Sequence, residues 1–562
     1  MKKMKRDTAA LAKQKYDLII IGGGIFGICA AWDATLRGLS VVLIEKEDFA
    51  HGTSANHFKM VHGGIRYLQH GDIVRVRESC RERSALMRIA PHLVKPLPIV
   101  MPTYGHGMKG KEILSMGMLL YDLLTLDRNA KLPAENKIPF GKCLSKSKII
   151  ELFPDIKSKG LTGGALFYDG QIQNPPRLAM SFLRSAVKEG AAAANYLEVT
   201  DLLRENNQVT GVKVKDKLAS VDFIIQGKVV LNAAGPWAHH LLKSTLNLKL
   251  TPTPIFSRDL AFVIPRRITG KFALACTTSS SDVDVFFDRG GRHLFIVPWR
   301  NYTLVGVWHK IFDEKPENIK VTSEELQDFV DEINIAYPGA KINRSEISMV
   351  NTGLTLFGED EQQGSKTMSF GKRSYLFDHS KEDQLDGLIT LIGVRATTAR
   401  GMAEKAIDMV LIKLGVKKIR SKSAQIPIYG GKNFKNLLQT TQHQGQLSML
   451  PNVVQNALFY NYGSEYINVL KYASNAPALL KNFINSTVLK AEIIHAIREE
   501  MAEKLADVVF RRTDFGTGAI PASSVIDECG TIMANEKGWD ELQLKAEIDD
   551  VKAKFLQYLD SA

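Results

Sequence analysis

Near its start the chain carries residues with the types and spacing to hold a dinucleotide. Gly22-Gly23-Gly24-Ile25-Phe26-Gly27 satisfies the pattern GxGxxG. In such a loop Gly22 permits the tight turn, Gly24 lets the backbone approach a pyrophosphate, and Gly27 lets a helix pack close against a strand. A helix that opens there aims unpaired N–H groups and the positive end of its dipole at the phosphates. Glu45 follows 18 residues after Gly27. A carboxylate at that distance can accept hydrogen bonds from a ribose 2′-hydroxyl, and it disfavours a 2′-phosphate. Spacing alone leaves FAD and NAD both open. The five cysteines, Cys29, Cys80, Cys143, Cys276 and Cys529, are odd in number and never spaced as CxxC. That argues against a disulfide framework or a structural zinc site, so no metal centre is expected and a reducing compartment fits.

These residues need a strand before them and a helix after them. YDLIIIG (16–22) is a short apolar run rich in β-branched residues and stopped by glycine, which reads as a buried parallel strand. A helix through Ile25–Arg37 and a second strand, Ser40–Ile44, complete the opening of a doubly wound sheet. Further strands are expected at 224–235, 293–299, 302–308 and 388–393, and helices at Pro176–Glu189 and Arg400–Leu414. The middle is strand-rich, whereas helical period dominates after about 430. The predicted fold is therefore α/β: a Rossmann-type dinucleotide-binding domain over 16–245 and 386–429 with substrate-side insertions, an antiparallel substrate domain over 246–385, and a helical C-terminal domain over 430–562.

The 562 residues are 45% hydrophobic and 24% charged, which excludes wholesale disorder, collagen and a disulfide miniprotein. The net charge is +13, and residues 1–15 hold six basic residues and one acid. This stretch reads as a basic disordered tail, either solvated or resting on an anionic surface. Such concentrated charge without interleaved aromatics gives no reason to expect a nucleic-acid partner. No apolar run approaches the roughly 20 residues that span a bilayer. Residues 111–129 are densely apolar and fit either a helix on the core or one lying on a membrane.

Two further segments select the cofactor. GTSANHFKMVHGGIRYLQHGD (52–72) and NAAGPWA (232–238) resemble the flavin-binding segments of the FAD-dependent glycerol-3-phosphate dehydrogenase and oxidase family, within the wider clan of D-amino-acid-oxidase-like flavoproteins. APHLVKPLP (90–98), FIVPW (295–299) and AIREEMAEKLADVVFRRT (496–513) extend the resemblance. It implies FAD lined by Thr53, Ser54 and Lys59. His62, Gly63 and Gly64 would lie against the isoalloxazine with Arg66 and Tyr67 behind them, and Gly235 and Trp237 would close the adenosine side. The last flavin segment corresponds to Gly393, Arg395, Thr397 and Thr398.

The substrate end departs from the family. Thr355 stands where the family has a substrate-holding arginine, Ala261 where it has a histidine, Arg395 where it has a lysine, and Gly306-Val307-Trp308-His309 where it has glycine-threonine-threonine-aspartate. Arg373, in KRSY, matches a retained substrate arginine. The resemblance implies hydride transfer from a substrate C–H to flavin N5, oxidising glycerol-3-phosphate to dihydroxyacetone phosphate or acting on a close anionic alcohol. His309 is the candidate base, because imidazole titrates near neutrality. Arg373, Arg395 and Arg258 are candidates to hold the anion. Two alternatives stand beside this: a flavin enzyme for another polyol, hydroxy acid or amine, and a flavin-holding assembly protein without turnover. The expected partners are a small anionic substrate and a quinone or oxygen as electron acceptor. The expected location is cytoplasmic, with the inner face of the cell membrane and a homodimer as open options.

Overall fold

A computed structural model describes residues 3–105, 111–277, 293–357, 374–417, 419–434 and 445–556. The first sheet has the strand order β16-β17-β10-β1-β2-β7, with β9 paired to β10 and β8 to β9. Its members are β1 (Lys15–Ile21), β2 (Val41–Ile44), β7 (Ala192–Ala194), β8 (Leu197–Glu205), β9 (Gln208–Asp216), β10 (Val221–Asn232), β16 (Tyr375–Asp378) and β17 (Leu388–Ile392). β1 pairs in parallel with both β2 and β10, and β10 in parallel with β17. The order reverses beside β1, which opens a crevice at the strands' carboxyl ends. Leu18 and Ile20 are fully buried under helices on one face of the sheet, and Ile19 is buried on the other face against Leu202, Val209, Val212 and Val214 of β8 and β9. Each such side chain contributes about 1.5–3 kcal/mol. Helices Ile25–Leu36, Pro175–Lys188 and Ala399–Lys413 supply one cover through Ile28, Phe182 and Ile407.

The second sheet has the order β15-β11-β14-β13-β12-β4-β6-β3, with β5 on β6. Residues 60–172 contribute β3 (Met60–Val61), β4 (Val94–Tyr104), β5 (Lys142–Ser145) and β6 (Leu161–Ile172). Residues 255–357 contribute β11 (Ile255–Ile264), β12 (Ala273–Thr277), β13 (His293–Trp299), β14 (Tyr302–Phe312) and β15 (Met349–Phe357). The antiparallel layer is thus not confined to 246–385. Its early strands carry little sequence signal, since β6 (LTGGALFYDGQI) contains three glycines and β4 three prolines. Gly164 explains the composition, because a Cβ there would sit 2.6 Å from the Met101 carbonyl oxygen of the paired strand.

The C-terminal unit is helical, with Asn452–Tyr462, Ile467–Ser474, Lys490–Glu499, Ser523–Lys537 and Glu541–Leu556 as its main elements. It is joined to the first sheet by buried charges. Asp48, on the loop after β2, accepts from Arg512 Nη1 and Nη2 at 2.7 Å each and from Arg511 Nε at 2.5 Å.

From residue 3 onward the start of the chain is docked and not the disordered tail expected. Residues Thr8–Lys13 form a helix capped by Asp7, and Met4 and Leu11 are buried. Arg6 pairs with Asp216 at 2.6 Å, and Lys3 lies 3.7 Å from Glu499. Buried Met4 and Leu11 and the paired Arg6 dock the segment, while Lys5, Lys13 and Lys15 stay exposed. Among the described residues, no helix is long and apolar enough to cross a membrane.

Candidate active site

One cavity of about 1520 Å³ runs along the seam between the two sheets. Small-molecule pockets usually measure about 300–1,000 Å³, so a dinucleotide and a substrate can share this one.

Its first-sheet wall is mostly backbone. Gly22 has φ +106°, and a Cβ there would lie 2.6 Å from the Ala233 carbonyl oxygen. Gly24 caps the helix Ile25–Leu36, and Ser54 Oγ accepts from the Ile25 N–H at 2.9 Å. Gly27 lies beneath the loop, where any Cβ would collide with the Gly22 carbonyl oxygen. Glu45 directly follows β2, its carboxylate accepting from the N–H groups of Gly23 at 2.6 Å and Glu47 at 2.9 Å. Burial pushes the Glu45 carboxyl upward, and those two backbone donors oppose it. Trp237 stacks under Lys46, whose Nζ lies 4.4 Å from the ring, and its indole N–H donates to Glu317. Gly235 and Gly393 complete this side. A Cβ on Gly393 would strike the Phe26 ring.

The middle of the cavity is built on the HGG segment. His62 Nδ1 lies 3.4 Å from Asp169, and its backbone N–H donates to Thr397 Oγ1 at 3.2 Å. Gly63 is tucked behind the wall, donating to Asp169 at 2.6 Å, while Gly64 adopts φ +84°. Burial alone would raise the Asp169 carboxyl, but His62, Arg83 and the Gly63 N–H hold it below its usual value. Tyr67 lies between two guanidinium groups, with Arg75 at 5.0 Å and Arg395 at 4.7 Å from its ring. Arg395 also donates to the Tyr67 hydroxyl, and its buried Nε has no hydrogen-bond partner among the described residues.

The second-sheet wall combines Phe58, Ile99, Phe167 and Phe295 with three polar side chains, Asp259, His309 and Thr355. His309 Nδ1 lies 2.7 Å from Asp259 Oδ1, and Thr355 Oγ1 donates to Asp259 Oδ2 at 2.8 Å. Thr53 fastens the seam, exchanging hydrogen bonds of 3.1 Å with the backbone of Leu354.

Other expected residues sit elsewhere. Lys59 is buried behind the wall, with Nζ 3.2 Å from Asn351 Oδ1 and 4.9 Å from the Trp299 ring centroid. Burial and the neighbouring Arg300 push its ammonium down to about 7. Thr398 is buried at the cap of helix Ala399–Lys413. Arg258 points away from the cavity to pair with Glu325 at 2.8 Å, because it alternates with Asp259 along β11. Ala261 is buried against Gly306. Arg373 and the side chain of Arg66 lie outside the described residues. Sequence reasoning missed Asp259, Asp169 and Arg75. Ser257, Asp259 and Ala261 do alternate on one strand face, but the pairing of Asp259 with His309 depends on the β11–β14 register.

The chain matches known proteins over most of its length. Residues 17–377 match the family described as FAD dependent oxidoreductase, and residues 421–544 match the C-terminal domain of alpha-glycerophosphate oxidase. The chain is 32% identical over 538 residues to glycerol-3-phosphate dehydrogenase of Synechocystis, covering 93% of this chain and 95% of that relative. It is 29% identical to the human mitochondrial glycerol-3-phosphate dehydrogenase, covering 97% of this chain and 73% of the relative. Its fold resembles that of a Bacillus halodurans glycerol-3-phosphate dehydrogenase solved with FAD, with a TM-score of 0.76, 23% identity and coverage of 98% and 96%.

Proposed function

The chain belongs to the FAD-dependent oxidoreductases, and from that premise we propose that it oxidises the secondary alcohol of glycerol-3-phosphate, or of a close anionic relative, to a ketone. The observation that carries the reading is a single cavity with three parts: the dinucleotide glycines, a cation with an unsatisfied donor at Arg395, and a proton acceptor at His309. The first-sheet wall fits FAD, since Gly22 and Gly24 leave backbone uncovered at a helix start and Glu45 stands at the ribose position. When bound, FAD supplies the two-electron acceptor for the carbon-bound hydrogen. Arg395 and Arg75 attract the anionic end of the substrate and orient it. His309 takes the hydroxyl proton, and the phenylalanine-rich wall excludes water from the reacting carbon.

A second reading, another anionic alcohol or an amine as substrate, draws support from Thr355, whose hydroxyl is engaged by Asp259 and offers no cationic fork. Product analysis with an artificial electron acceptor separates the two. Dihydroxyacetone phosphate formed at roughly 1–1,000 per second supports glycerol-3-phosphate. Turnover of other anionic alcohols or amines with none on glycerol-3-phosphate refutes it.

The acceptor of the next electron transfer is a quinone or oxygen. Helix Lys111–Leu124 leaves Met116, Leu119 and Leu123 more than half exposed, with exposed Leu126 just beyond its end. Leu114 of this helix lines the cavity, so a membrane surface here would lie beside the site. Liposome flotation that survives Leu119→Ser with Leu123→Ser would remove this part of the proposal.

A further inference from the structure

We propose that Asp259 is a positioning residue that fixes which nitrogen of His309 takes the proton, an inference that rests on the reading of His309 as the base. The geometry comes from strand register. Ser257 and Asp259 share a face of β11, and β14 places His309 directly opposite Asp259. β15 places Thr355 opposite Ser257, one step along the same face. Three side chains therefore converge on one carboxylate. Oδ1 accepts from Ser257 Oγ at 3.1 Å and faces His309 Nδ1 at 2.7 Å, while Oδ2 accepts from Thr355 Oγ1 at 2.8 Å.

An ionised carboxylate has no hydrogen to give, so Nδ1 of His309 must be the donor. In the neutral imidazole the lone pair then resides on Nε2. Ser257 and Thr355 stop the carboxylate from swinging away from the ring, because each fixes one of its oxygens. The neighbouring strand residues Arg258 and Lys310 do not compete for it, since both pair with Glu325 at 2.8 Å. In the reaction the substrate O–H bond breaks and its proton bonds to Nε2. FAD, where bound, would take up the carbon-bound hydrogen with its electron pair as the carbon–oxygen bond becomes double. The imidazolium that results lies against the Asp259 carboxylate, which stabilises it as charge develops.

The test is a tautomer measurement on the intact holoenzyme labelled with ¹⁵N-histidine. Spectra are recorded at about pH 8, above the ~6.5 of free imidazole. The His309 signals are identified by their loss in His309→Gln. The expected result is a protonated Nδ1 and a bare Nε2 in the wild type. In Asp259→Asn, whose amide can donate to Nδ1, the proton should move toward Nε2, and Asp259→Glu should restore the original form. Anaerobic flavin reduction by glycerol-3-phosphate should slow roughly 100-fold or more in Asp259→Asn with less than about threefold change in substrate affinity. A protonated Nε2 in the wild type overturns the inference, and that arm needs no variant. Loss of reduction in His309→Gln but not in Asp259→Asn overturns the inference and leaves the base in place. Unchanged reduction in His309→Gln overturns the base itself.

Discussion

The two walls of the cavity are made by different means. On the first-sheet side, recognition rests on backbone exposed at glycines and on a helix start, and most of it comes from residues 22–54. On the second-sheet side it rests on side chains that converge from three strands, spanning Ser257 to Thr355. Backbone recognition tolerates almost no substitution, because a Cβ has nowhere to go. Side-chain recognition can be rebuilt strand by strand while the cofactor wall stays the same. Of the departures, Ala261, His309 and Thr355 lie on the second sheet, where change is structurally tolerated, whereas Arg395 follows the last strand of the first.

The largest expected effect is on the first wall. Gly22→Ala places a Cβ against the Ala233 carbonyl in a left-handed backbone conformation. FAD affinity should fall at least about 100-fold, close to 3 kcal/mol, as read by flavin absorbance of the purified protein. Normal flavin content in this variant would break the contrast. Next is the anchor behind that wall. Arg512→Gln leaves Asp48 short of two charged donors in a fully buried site, and should cost about 3–5 kcal/mol of unfolding free energy by chemical denaturation.

A smaller effect is expected on the second wall. Thr355→Val removes one of the three donors to Asp259 among the described residues, which should slow flavin reduction about fivefold, ~1 kcal/mol, without loss of bound flavin. The last expected effect is a pH slope. Lys59 titrates at about 7 when folded, against ~10.4 when unfolded. Between these values the unfolded chain holds a proton that the folded chain has released, so stability from this group rises with pH. The unfolding temperature of the wild type should therefore gain on that of Lys59→Met as pH climbs from about 7 to about 10. A parallel pair of curves would show that Lys59 keeps its charge.

The difference between the walls also governs what could be read from the chain. Gly22, Gly24, Gly27 and Glu45 were legible because their chemistry depends on local spacing, and the first sheet followed from apolar runs bounded by glycine. His309 was legible as a residue type, but its partner Asp259 lies 50 positions away and is found only through the register. Arg258, one residue from Asp259, was expected at the anion and faces Glu325 instead, since a strand reverses its side chain at each step. The basic start of the chain misled because its charges suggested solvent, whereas Met4 and Leu11 are buried and Arg6 finds Asp216. The strands of residues 60–172 were hidden by the glycines and prolines that close approach in their sheet selects.

A cofactor wall that resembles the family's serves catalysis at a substrate wall that departs from it. Mixing the purified holoprotein anaerobically with glycerol-3-phosphate and following the flavin absorbance tests it most directly. Rapid bleaching, lost in His309→Gln, is the expected result. A flavin that dithionite reduces but that glycerol-3-phosphate leaves oxidised would contradict it.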